Sequence, residues 1–124
     1  MVCNVKTVAF NGISAQIVDV QASKSQGLPG FVIVGLPDKA VNESRERVRA
    51  VFMALGIDFP SDHIVVNLSP ADVLKEGTHF DLPIALALMG MIGTINPEKL
   101  NGLLFMGALS LDGSVEREIG RAHV

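Results

Sequence analysis

The chain is predicted to fold as an α+β domain, a mixed β-sheet with two main helices on one face in the order β-β-β-α-β-α-β. Three observations predict this. Two alternating runs flank Asn11-Gly12, a single amphipathic helical pattern lies between two short apolar runs, and a second helical pattern further on is apolar on all sides. Strands that pair locally and helices that must bury a face against them combine most simply as a sheet with one covered side.

Val5 to Phe10 and Ile13 to Val20 carry the first two strands, with Ile13, Ala15 and Ile17 on one face. Asn-Gly between such runs is a strong hairpin signal, because both residues accept the backbone twist a tight turn needs. Gln26 to Gly30 reads as a loop, and Phe31 to Val34 as a short buried strand ending at Gly35. Asp38 is expected to cap a helix that runs to about Leu55 and stops at Gly56. Val41, Ser44, Val48, Val51, Phe52 and Leu55 share one side of it, the side that docks on a sheet. Ile64 to Asn67 is the next strand. The second helix, apolar from Leu82 to Ile92, holds Pro83, which is tolerated only in a first turn; its cap is therefore expected at Thr78 or Asp81. Leu103 to Leu111 is predicted as a final strand closed by Asp112-Gly113.

Size and composition narrow the function. The 124 residues have room for one domain, 1–124, and one core. With 48% hydrophobic and 19% charged residues and a formal charge of −3, the chain is globular and acidic, which disfavours a dedicated nucleic-acid binder but leaves room for a local basic patch. The single Cys3 excludes an internal disulfide and a cysteine-based zinc site, in keeping with a reducing, cytoplasmic setting. No basic segment precedes an apolar run at the start, so no signal peptide is expected. The longest apolar stretch is too short to span a bilayer, so no membrane partner is expected. The absence of Trp and Tyr weakens any case for base stacking.

Four candidate sites emerge. Neither phosphate-binding glycine pattern occurs, and Gly27, Gly30 and Gly35 read as turn residues, so no nucleotide cofactor is expected in this chain. Lys75-Glu76-Gly77-Thr78 opens onto the second helix, where Thr78 is a candidate nucleophile with Lys75, His79 or Asp81 as helper. The alternative is that Thr78 or Asp81 simply caps the helix. His63, His79 and His123 are the only candidate histidine metal ligands; their spacing matches no metal motif, so ordinary histidines and no metal are expected. The first helix carries Lys39, Arg45, Arg47 and Arg49. Arg47, one turn after Glu43, suits a local ion pair. Arg45 and Arg49 project from one flank, either as a solvated face or, together with Lys39, as a contact for DNA phosphates or another subunit.

An ordered series of motifs then carries a resemblance. Gly27-Leu28-Pro29-Gly30-Phe31-Val32-Ile33-Val34-Gly35-Leu36-Pro37-Asp38 is followed by Glu43-Ser44-Arg45-Glu46-Arg47-Val48-Arg49-Ala50. Val66-Asn67-Leu68-Ser69-Pro70-Ala71-Asp72, Lys75-Glu76-Gly77-Thr78 and Phe80-Asp81-Leu82-Pro83-Ile84 come next, and Gly107 to Ser114 continues the match. The series resembles the N-terminal domain of magnesium-chelatase-like ATPases of the ComM and YifB type. It covers nearly the whole chain, with the last ten residues matching only loosely.

The resemblance implies a fold similar to the Lon protease proteolytic domain and to a related ribosomal small-subunit protein domain. Lon-type proteases use a Ser–Lys dyad. Aligning Lys75-Glu76-Gly77-Thr78 with the nucleophile loop puts His79 at the serine position, Thr78 beside it, and Ala122 near the lysine position; no lysine follows Lys99. The resemblance therefore implies no catalytic residues. It also implies an ATPase core, with ATP and magnesium, in the intact protein but not in this chain, assembly into a hexameric ring, and a link to DNA branch migration in recombination and competence. It further implies a domain truncated at its C-terminal end, whose open edge or apolar face would favour self-association. The expected role is a non-catalytic accessory domain aiding ring assembly or DNA engagement. A residual hydrolase using Thr78 and a free-standing interaction module are the alternatives.

Overall fold

A computed structural model describes residues 2–70, 75, 79–109 and 115–116. Its main sheet is built from β1 (Val2–Asn11), β2 (Ser14–Ser25), β3 (Gly30–Val34) and β4 (His63–Ser69) in the order β1-β2-β4-β3. β1 and β2 form an antiparallel hairpin, β2 pairs antiparallel with β4, and β3 lies parallel to β4 at the far edge. The sheet is thus mixed, as the sequence predicts. The parallel pair follows from α1 (Asp38–Ala54), which links β3 to β4 and carries the chain back to the end where β3 begins.

Alternation decides which face is covered. Cys3, Val5 and Ala9 of β1, Val18, Val20 and Ala22 of β2, Phe31 and Ile33 of β3, and Ile64, Val66 and Leu68 of β4 all point into one core. Both α1 and α2 (Asp81–Ile92) pack on that side, α1 through Val48, Val51 and Phe52, and α2 through Ile84, Ala87, Leu88 and Met91. α2 is buried around most of its circumference, which its all-round apolar sequence requires. It can lie close to β1 because residue 90 is glycine; a Cβ there would sit 2.5 Å from Cys3 Sγ. On the opposite face Val2, Phe10, Ile17, Val32 and Val34 are exposed.

The elements differ from the sequence reading at several points, and β2 runs on to Ser25, past the predicted end at Val20. The hairpin turn falls one residue later, at Gly12-Ile13 with Gly12 at φ 63°, because Asn11 still pairs with Ser14. Leu55 is exposed and is the capping residue at the end of α1. There the N–H groups of Gly56 and Ile57 close back on Met53 and Phe52 in the pattern of a Schellman motif, with Gly56 at φ 71°. The predicted strand over Leu103 to Leu111 is broken up. Leu104 makes one bridge to Lys6, Gly107 bonds to His79 and Leu82, and only β5 (Ala108–Leu109) forms a short pair, with β6 (Val115–Glu116). The backbone of this segment divides its hydrogen bonds between the edge of β1 and the start of α2, so no continuous ladder forms. Residues 110 and 111 of that prediction lie outside the described residues.

One buried polar atom is out of place. Thr7 sits fully buried on the covered face of β1, and its Oγ1 has no hydrogen-bond partner among the described residues. An unmet buried hydroxyl costs about 1–3 kcal/mol. Thr7→Val, which keeps the shape and removes the hydroxyl, is expected to stabilise the fold by about 1 kcal/mol. The urea midpoint should rise with an unchanged slope; a lower midpoint would contradict this account.

Candidate functional site

The first turn of α2 and the middle of α1 meet at a polar junction inside the core. Asp81 opens α2, preceded by Phe80 as capping residue with no side-chain cap, so the expected capping role of Asp81 is not what its carboxylate performs. Instead, both oxygens turn toward α1. Oδ1 accepts a bond from Ser44 Oγ at 2.8 Å and one from Arg47 Nη2 at 3.3 Å, while Oδ2 accepts from Arg47 Nε. The Asp81 side chain is 2% exposed and that of Arg47 24%. A guanidinium fork matched to a carboxylate is the strongest of the common side-chain pairings, and here it is largely shielded from water.

The local reading that paired Arg47 with Glu43 is thereby corrected: the salt bridge crosses to Asp81. The Asp81 hydrogen bond, and then its charge and that of Glu43, push the ionisation of Arg47 further up, against the opposing effect of burial. The guanidinium therefore stays charged through neutral pH and would lose its charge only in strong alkali. Likewise Asp38 is the first residue of α1, preceded by Pro37, and offers a first-turn charge to the helix dipole instead of a cap.

Chemically, this junction is closed. Asp81 already accepts from two cationic N–H groups and a hydroxyl, so both of its oxygens are engaged within the protein. Ser44 is buried and donates to that carboxylate, so it presents no accessible nucleophile. The cavity that Ser44, Arg47 and Asp81 line together with Leu36, Ala40 and Glu43 is about 160 Å³. Ligand pockets usually run from about 300 Å³ upward, so a substrate of ordinary size does not fit.

The other candidate residues are dispersed. Lys75 is buried, and its Nζ donates to the Pro70 carbonyl at 2.7 Å. His79 is buried beside Phe80, at 4.1 Å between ring centroids, and its Nε2 lies 2.8 Å from the Val8 carbonyl on the outer edge of β1. His63 stands at the start of β4, packed near Gly30 at the opposite end of the sheet. Thr78 and His123 lie outside the described residues. Among the described residues, no three His, Cys, Asp or Glu side chains gather as a metal site would require.

On α1, Lys39 is exposed. Arg45 is half-buried and tied down: Nη1 donates to the Phe31 carbonyl at 3.0 Å and Nη2 to Asn42 Oδ1 at 2.6 Å. Arg49 is exposed and lies over two rings, 5.6 Å from the centroid of Phe31 and 5.4 Å from that of Phe59. Arg45 and Arg49 do share a flank, but each also holds α1 against the edge of the sheet. A groove of about 380 Å³ opens beside Arg49, between the end of α1 and the loop to β4.

Geometry and chemistry define an α+β domain in which Asp81, Ser44 and Arg47 join the two helices. Residues 18–123 match the family described as subunit ChlI of Mg-chelatase, and the chain belongs to that family. Among curated relatives it is 40% identical over 111 residues to the protein YifB of Escherichia coli strain K12, covering 90% of this chain and 22% of that protein. It is 39% identical over 107 residues to the competence protein ComM of Haemophilus influenzae, covering 86% of this chain and 21% of the relative. The Mycobacterium bovis protein Mb2921c is 40% identical over 109 residues, covering 88% and 22% respectively. The chain thus spans about a fifth of the length of these relatives. Among the described residues, no helix is long and apolar enough to cross a membrane.

Proposed function

We propose that this domain is a non-catalytic accessory module of a magnesium-chelatase-like ATPase, aiding ring assembly or DNA engagement in the longer protein. ATP and magnesium would be handled by an ATPase core outside this chain, in the cytoplasm. The observation that carries the reading is the closed junction at the start of α2. There, Asp81, Ser44 and Arg47 satisfy one another in the core, so Asp81, one of the candidate helpers of a hydrolase, is already engaged. The family assignment and the competence name of one relative are consistent with a part in DNA handling. For DNA or subunit contact, the exposed Lys39 and Arg49 are better placed than Arg45, whose guanidinium is already engaged by Phe31 and Asn42.

The test is enzymatic. The chain is expected to leave casein and fluorogenic peptides uncut, with no difference between the parent protein and Thr78→Ala. Turnover that the Thr78→Ala change abolishes would replace the accessory reading with the hydrolase one.

A further inference from the structure

Two apolar features stand at opposite ends of the sheet. The first is the tip of the β1–β2 hairpin. Among the described residues, β4 pairs with β2 only as far as Asp19, opposite Ser69, so Ser14 to Ile17 extend past it, paired to β1. On this overhang Ile13 is fully exposed at 107%, while Phe10 and Ile17 are 50% and 53% exposed and lie diagonally on one face. From Gly12 to Val18 there is no charged residue. Protruding edges are normally blunted by charge or proline, and this one is not.

The second feature is the groove at the end of α1. Phe52, Met53, Ile57 and Phe59 line it, with one cation, Arg49, and one anion, Asp58. Met53 is 82% exposed at its mouth. The contact of Phe59 with Phe31, 5.1 Å between centroids, fixes this groove at the end of the sheet where Gly30 and His63 pair. The twelve residues of β2 separate that end from the tip, roughly 36 Å at the rise of an extended strand. The tip therefore cannot reach the groove of its own domain.

The geometry points to a head-to-tail contact between copies of this chain, in which the Phe10–Ile13–Ile17 tip of one seats in the groove beside Arg49 of the next. The electrostatics agree: an uncharged tip meets a groove whose two charges cancel, and its volume of about 380 Å³ has room for large apolar side chains. A contact between unlike surfaces repeats from copy to copy, closing into a ring or running on as a filament according to the rotation. This rests on the assembly part of the proposed function and names its surfaces. Three apolar side chains, two of them already half-buried, set little burial against the cost of association, so the isolated chain should associate weakly. Tethering several copies in a longer protein would strengthen the contact.

Sedimentation velocity at concentrations up to millimolar tests it. The parent chain should associate as concentration rises. Ile13→Asp, in the exposed turn, and Met53→Lys, in the last turn of α1, should each weaken association by roughly tenfold or more, with unchanged thermal melts. Each variant keeps one half of the contact, so an equimolar mixture should form heterodimers that grow no further. Symmetric pairing of β2 edges predicts instead that Met53→Lys associates like the parent and that the mixture gains nothing. Either result, or a parent chain monomeric at millimolar concentration, overturns the head-to-tail contact. The accessory reading is judged separately, by the peptide assay.

Discussion

Asp81→Ala is expected to destabilise the domain by about 3 kcal/mol, the lower end of the range for breaking a buried pair by removing one partner. The lower end applies because Arg47 retains some contact with water, at 24% side-chain exposure. Loss of the carboxylate strands two donors at once: the Arg47 guanidinium and the fully buried Ser44 hydroxyl. Asp81→Asn should cost less, since an amide oxygen still accepts from Ser44. A double-mutant cycle with Arg47→Met, read by urea unfolding, isolates the pair. Strong coupling is expected, and additive effects would mean that the two helices are held by packing alone.

Gly35→Ala should do comparable or greater harm, about 3 kcal/mol or more, by a different route. Gly35 lies between β3 and α1 at φ 107°, a conformation that side-chain-bearing residues rarely adopt. A Cβ there would also stand 2.4 Å from the Leu68 carbonyl oxygen, a backbone atom of β4 that cannot swing aside. Gly12→Ala is the control. Gly12 has φ 63° and nothing within 4 Å of a Cβ, so it should show only the conformational penalty of about 1–2 kcal/mol. Equal thermal shifts for the two variants would show that the close approach of Gly35 to β4 is unimportant.

The contrast between these sites also marks what could be read from the sequence. Periodicity located β1 to β4, α1 and α2, because each has an apolar pattern governed by its own neighbours along the chain. It failed over Leu103 to Gly107, where an apolar run resembles a strand but Gly107 bonds to His79 and Leu82 instead of a neighbouring strand. The Arg47–Asp81 bridge joins residues 34 positions apart, and the helical spacing rule pointed to the nearer Glu43. A signal was nonetheless present. Ser44 falls on the apolar side of α1, and Asp81 opens a helix that is apolar all round; two polar groups forced into one core must find partners there. Lys75 was read as a candidate activator, but neither its burial nor its bond to Pro70 follows from a local pattern.

Arg45 and Arg47 are only two positions apart on α1, yet one is bonded to the β3 backbone and the other to the start of α2. A helix fastened on both flanks at the same level resists rolling and sliding alike. Force applied near Met53 would therefore displace β3, α1 and α2 as one block. Flexing would fall to the hairpin overhang, which β4 does not brace.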